Sequence, residues 1–172
     1  MIVLLFLAIL HLSYTDPILP EKSGRDSLDA NEVMWKLPQT YMLQSLGNFA
    51  NLKCGYQVFY NKKKENKTFR MYDFFSLYMN GSSFHQPYYV KKVTDYTIYL
   101  GTHRKKTYPP TAAREILYSN MESCMVIRNP KNLPVCNLMV TKEEFPKPPA
   151  ECLEKFHTLC GSPAFIYTIN DC

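Results

Sequence analysis

The chain has 172 residues, enough for one domain with a core of its own, and carries a formal net charge of +5. That charge is modest for the size, and without a recognition motif it argues against nucleic acid as a partner. Aromatics are abundant (13 Tyr, 10 Phe), glycines number 6, and no low-complexity tract appears.

The amino terminus opens with an apolar run, Met1 to Leu10, of signal-peptide length and too short to cross a bilayer as a helix. Ser13 and Thr15 offer small residues for cleavage near Asp16. The division expected is a signal peptide over 1–16 and a single secreted domain over 17–172, with no membrane anchor. The six cysteines are even in number and show no Cys-x-x-Cys or Cys/His zinc spacing, so in a secreted chain they read as disulfides. Two sequons, Asn66-Lys67-Thr68 and Asn80-Gly81-Ser82, fall where turns are expected and mark Asn66 and Asn80 for glycosylation.

After a polar lead-in, residues 26–37 read as a short helix. Ser27 or Asp29 would cap it, and Pro38 stops it. Trp35, the only tryptophan, is expected to pack against one end of a core. From residue 39 to 140 the texture is β. Runs rich in Tyr, Phe, Val and Ile cover 41–49, 53–61, 68–79, 88–93, 95–100, 113–118, 123–128 and 135–140. Turn-type clusters such as Asn61-Lys62-Lys63-Lys64, Asn80-Gly81-Ser82-Ser83 and Asn129-Pro130-Lys131-Asn132 separate them. No amphipathic helix interrupts the series, which disfavours a parallel βαβ sheet. The fold class is therefore mainly β, an eight-stranded antiparallel barrel with a two-sheet sandwich as runner-up. Eight strands enclose room for one small ligand.

The last third gathers five of the six cysteines: Cys124, Cys136, Cys152, Cys160 and Cys172. Two apolar runs lead to the Pro-rich bend 145–149, a helix over 150–159 and a final strand-like run over 164–169.

These pieces resemble the salivary lipocalins of ticks, the family that includes the histamine-binding proteins. The matching stretches are Asp29 to Leu37 with Trp35-Lys36, Tyr118-Ser119-Asn120 leading to Cys124, Cys136 to Val140, Pro149 to Phe156, and Ile169 to Cys172. The resemblance implies a lipocalin-type barrel with a carboxy-terminal helix packed on its side. It also implies secretion in saliva into a bite, where the protein would sequester a small host mediator and blunt inflammation. From the same resemblance come the disulfide pairs Cys124–Cys152 and Cys54–Cys172, which leave Cys136 with Cys160.

The amine-binding members of that family carry Cys-Asp-(Val/Ile/Leu), a spacer, Glu-Leu-(Trp/Tyr), a spacer, then Cys. The frame is present as Cys124-Met125-Val126, then Asn137-Leu138-Met139, then Cys152, but both acids are replaced, by Met125 and Asn137. An ammonium group taken out of water needs a paired anion. High-affinity histamine or serotonin binding is thus expected to be weak or absent, and an anionic, largely apolar lipid of eicosanoid type is the ligand class favoured over a biogenic amine. Arg70 or Arg114, flanked by tyrosines, would hold its carboxylate.

Other candidates are Asp73, read either on a solvated face or as an acid inside the barrel, and Asp95 and Glu115 with the same ambiguity. Tyr56, Tyr72, Phe75 and Tyr96 would line the barrel. The basic clusters Lys62 to Lys64 and His103 to Lys106 read as solvated hairpin tips, or else as a surface for a host glycan or acidic partner. His85, His103 and His157 lie in no metal-ligand spacing. No hydrolase, zincin or phosphate-loop motif occurs, so neither an enzyme, a metal nor a cofactor is expected. The alternative function is a scaffold whose loops block a host protein, for example of complement or haemostasis. A monomer is expected.

Overall fold

A computed structural model describes residues 28–47, 49, 51–168 and 172, the side chains of Leu133 and Pro134 excepted. The signal peptide expected over 1–16, the lead-in to residue 27 and the last residues of the closing run (169–171) lie outside the described residues. The elements are α1 (Ala30–Lys36), β1 (Gln39–Ser45), β2 (Leu52–Lys64), β3 (Lys67–Tyr78), β4 (Ser83–Thr94), β5 (Thr97–Gly101), β6 (Ala112–Ser119), β7 (Cys124–Asn129), β8 (Asn132–Val140), α2 (Ala150–Cys160) and β9 (Phe165–Ile166).

Strands β2 to β8 pair antiparallel in sequence order, and β1 lies between β8 and β2 to close an eight-stranded barrel. The sandwich is set aside by that closure. β1 meets β2 only over Gln39 to Tyr41. Further along, its free edge is taken by β9, through Gln44 and Ser45.

Tight turns set the register. Glu65 and Asn66 both have positive φ (50° and 59°), the conformation a two-residue hairpin turn demands, and Lys64 pairs with Lys67 across it. In β4 the strand begins at Ser83, earlier than the expected residue 88, and takes Pro87 into its interior. Pro87 pairs with Asp73 of β3, while pairing of β4 with β5 starts only at Tyr89. The proline therefore sits where one edge is open and its missing N–H is not required.

α1 closes one end of the barrel. Asp29 caps it by accepting from the Asn31 N–H at 2.8 Å, and Leu37 ends it before Pro38. Ala30, Val33 and Leu37 are fully buried, and the Ala30 N–H reaches the Asp95 carbonyl at 2.6 Å. Trp35 points the other way and is 78% exposed, so it does not pack on the core as expected. The helix is seven residues long and has only one face to bury, which Ala30, Val33 and Met34 occupy.

α2 lies on the outer face of β6 to β8, burying Cys152 and Phe156. Disulfides Cys124–Cys152 and Cys136–Cys160 bind it to β7 and β8, and Cys54–Cys172 ties the carboxyl terminus to β2. All three pairs are those that the resemblance implied.

Candidate functional site

Strand alternation divides the side chains into an inner and an outer set. Facing inward are Met42, Gln57, Phe59, Tyr72, Ile98, Leu100, Ile116, Met125, Ile127 and Met139, all buried and following the register from strand to strand. At the α1 end Ala30, Val33 and Leu37 join this interior, with a space of about 250 Å³ beside Met34, Phe59 and Met71. Toward the opposite end it opens into a cavity of about 320 Å³, within the ~300–1,000 Å³ range of small-ligand pockets.

The walls come from Phe49, Phe74, Tyr78, Phe84, Ile127 and Val135, and the polar groups are Gln57, Tyr72, Ser76, Arg114, Arg128, Asn129 and Asn137. No carboxylate is among these lining residues. Arg128 is already held, its Nε donating to Glu115 Oε2 at 2.6 Å. Arg114 instead donates to the Ala113 carbonyl at 2.8 Å and lies with Cζ 5.7 Å from the Tyr72 ring centroid. Burial pushes the Tyr72 hydroxyl above the usual phenol range, and the neighbouring Arg114 guanidinium pulls it partly back.

Behind Arg114 runs a polar chain. Tyr72 donates to Gln57 Oε1 at 3.2 Å, and Gln57 Nε2 donates to Thr40 Oγ1 at 3.1 Å and to Met125 Sδ at 3.2 Å. The buried amide of Gln57 is thereby satisfied on both sides. Asn137 faces the cavity with its Oδ1 accepting from Ser45 Oγ at 2.7 Å. The two positions that carry acids in the amine-binding frame thus both point into the barrel, one as a thioether and one as an amide.

Of the residues singled out from sequence, Tyr72, Arg114 and Asn137 come together here. Arg70 lies at the α1 end instead, donating to Asn31 Oδ1 at 2.7 Å. Tyr96 sits half-buried in the β4–β5 turn. Asp73 is 5% exposed but on the outer face, neither solvated nor inside the barrel, because the register puts it level with Val58 and Pro87. Its cover is aromatic. Tyr56 stacks on Phe75 at 4.6 Å and Phe75 in turn stacks on His85 at 4.8 Å, so Tyr56 and Phe75 also belong to the outer face. Asp73 Oδ2 accepts from the Tyr60 hydroxyl at 3.2 Å and lies 3.5 Å from His85 Nε2, while its Oδ1 has no partner among the described residues. Asp95 is an exposed turn residue with φ 34°.

Sequence reading missed Gln57, Ser76 and Phe84. Only the parity of their strands could have signalled them. Asn66 and Asn80 are exposed at hairpin turns, accessible to a glycosylating enzyme. Among the described residues no group of three His, Cys, Asp or Glu could hold a metal ion, and no helix is long and apolar enough to cross a membrane.

The sequence pattern of the tick histamine binding protein family matches residues 25–172. No curated protein matches the chain. Among solved structures, the chain is similar to japanin from Rhipicephalus appendiculatus bound to cholesterol (TM-score 0.57, 14% identity, 78% of this chain and 95% of that one). It is also similar to AM182 in complex with serotonin (TM-score 0.53, 19% identity, 80% of this chain and 88% of that one). At such identities these two likenesses speak for the fold.

Proposed function

The chain belongs to the tick histamine-binding protein family, and from that premise we propose that it is a secreted protein that takes up a small host mediator in its barrel, an anionic and largely apolar lipid of eicosanoid type. The observation that carries this reading is the charge of the cavity. Its lining includes no carboxylate and holds Arg114, whose hydrogen-bond partners are neutral oxygens, while Met125 and Asn137 stand where the family's amine binders have acids.

A lipid carboxylate entering the cavity meets Arg114 as a charge-assisted partner, with Asn137 and Ser76 beside it as neutral donors. The aromatic walls take the acyl chain, at about 0.8 kcal/mol for each methylene removed from water. An amine entering the same space meets a guanidinium and no counter-ion. Serotonin in AM182 and cholesterol in japanin support the general reading that a barrel of this shape accepts small molecules. Secretion is supported by the three disulfides, which belong to an oxidising compartment. Capture of such a mediator at a bite would dampen host inflammation and defence.

The test is displacement of a fluorescent fatty acid by leukotriene B4, a thromboxane analogue and arachidonate. Competition at ~10 μM, lost by a factor of roughly 30 or more in Arg114→Gln, is expected from the loss of one charge-assisted contact. No competition by any of the three would overturn the lipid reading and leave the protein-blocking scaffold in its place.

A further inference from the structure

Two basic clusters that lie far apart in the sequence meet on one side of the barrel. The β2–β3 hairpin carries Lys62, Lys63, Lys64, Lys67 and Arg70, β4 presents Lys91 and Lys92, and the β5–β6 loop brings Arg104, Lys105 and Lys106. These are ten of the chain's 20 lysines and arginines, and Glu65 is the only carboxylate within residues 62–70, 91–92 and 104–106.

The loop is fastened against the hairpin. Arg104 Nη1 meets Glu65 Oε2 at 3.0 Å, Lys91 Nζ donates to the Lys105 carbonyl at 2.6 Å, and His103 stacks on Tyr108 at 4.6 Å. Glycine at 101 clears the way for Lys91, since a Cβ there would fall 2.5 Å from its Cε. Between loop and hairpin runs a groove of about 520 Å³ lined by Lys67, Arg70, Lys91, Arg104 and Lys106. A tip that merely solvates its charges would let them spread. Here one carboxylate and one carbonyl fasten the loop, so that five cations line one groove and their fields add.

We propose that this groove is a second binding site, for the sulfate groups of a sulfated glycosaminoglycan. It lies on the outer face of the barrel, separate from the cavity, and rests on none of the reasoning about the lipid. A polyanion is the ligand class because the groove offers several cations in a row and no acid of its own beyond the one engaged by Arg104. A glycan is favoured over nucleic acid because the groove's two aromatics give no stacking platform. Phe69 and Tyr89 are half-buried and packed edge to face, with centroids 5.7 Å apart. The oxidising compartment that the disulfides belong to is also where sulfated polysaccharides are met. Asn66 stands at the hairpin tip and outside the groove lining, so a glycan on it would flank the site.

Binding of a heparin-derived dodecasaccharide to the glycosylated protein, by calorimetry in 0.1 M NaCl, tests the proposal. The variant Lys67→Ser/Lys91→Ser/Lys106→Ser is expected to bind at least tenfold more weakly, with a shallower dependence on salt. Lys131→Ser/Lys142→Ser/Lys147→Ser removes the same charge from exposed residues of the β7–β8 turn and the approach to α2, and is expected to stay within twofold of the native protein. Desulfated heparin is expected to lose at least tenfold. Equal weakening in the two triple variants would overturn the site in favour of net charge alone. No binding by the folded native protein, or tighter binding of a dT20 oligonucleotide than of heparin, would overturn the glycan assignment.

Discussion

If Arg114 sets the electrostatics of the barrel, then restoring an acid to the cavity should not by itself restore an amine site. Asn137→Glu places a carboxylate in the space that Arg114 and Arg128 line, and Arg128 is already held by Glu115. Arg114 is the cation left to neutralise the new acid. An entering ammonium would have to displace that guanidinium from its partner, which cancels most of the gain. Removing the competitor changes the outcome. In Asn137→Glu/Arg114→Gln the acid has no fixed partner, and a buried, unpaired carboxylate costs several kcal/mol until a cation arrives. The double variant should therefore be less stable than the single one when empty. It should bind histamine more tightly by one charge-assisted contact, about 2–5 kcal/mol, or at least roughly 30-fold. Calorimetry with histamine at neutral pH, beside urea unfolding of the empty proteins, measures both quantities. Equal gains in the single and double variants would show that Arg114 does not govern the cavity. No gain in either, with the fold intact by circular dichroism, would show that ligands of this size do not enter it.

Alkaline conditions should weaken the fold. Burial pushes Tyr118 and Tyr167 up to about 12, Tyr118 with help from Glu151, so the folded chain keeps both protons to higher pH than the unfolded one does. Their contribution is full below pH ~10, the unfolded phenol value, and falls as pH rises toward 12; urea midpoints at pH 8, 9.5 and 11 should drop less in Tyr118→Phe/Tyr167→Phe. At neutral pH, Tyr167→Phe alone should stabilise by about 1 kcal/mol, because the Tyr167 hydroxyl is buried with no partner among the described residues. Asp73→Asn keeps an acceptor for Tyr60 while removing a buried charge whose Oδ1 is unpartnered, and should raise the urea midpoint by an equivalent of about 1 kcal/mol; a loss would show that Asp73 is worth more as an anion. Cys54→Ser/Cys172→Ser opens a sequence separation of 118 and should cost about 5 kcal/mol on chain-entropy grounds, against about 3.5 for Cys136→Ser/Cys160→Ser with a separation of 24; the reverse order would mean that native-state contacts outweigh the unfolded chain.

Much of the architecture was legible because turns and strand-forming runs are local signals, and each hairpin turn fell between the runs that flank it. Where reading failed, the deciding contact was distant. Nothing near Asp73 in sequence tells that Tyr60 and His85 will cover it on the outside of the sheet, and nothing near Glu65 tells that Arg104 will fold back to meet it. Trp35 was misjudged for a related reason: its helix has one buried face, and which face is fixed by the barrel end it plugs. The inside of the barrel, however, was partly encoded in the cysteines. Cys124 and Cys136 must point outward, since both are bonded to α2 on the outer face. Alternation then turns Met125 and Asn137 inward, the two positions that the family resemblance singled out. The same rule applies at Cys54. Its bond to the carboxyl terminus marks the outer face of β2, so Gly55, Gln57 and Phe59 face in while Tyr56, Val58 and Tyr60 face out, against the pull of their hydrophobicity. Pairing carries that parity into β3, where Gln57 opposite Phe74 and Val58 opposite Asp73 put the aromatic inside and the acid outside. Hydrophobicity alone would have inverted β2; a disulfide to an outer element decides the face.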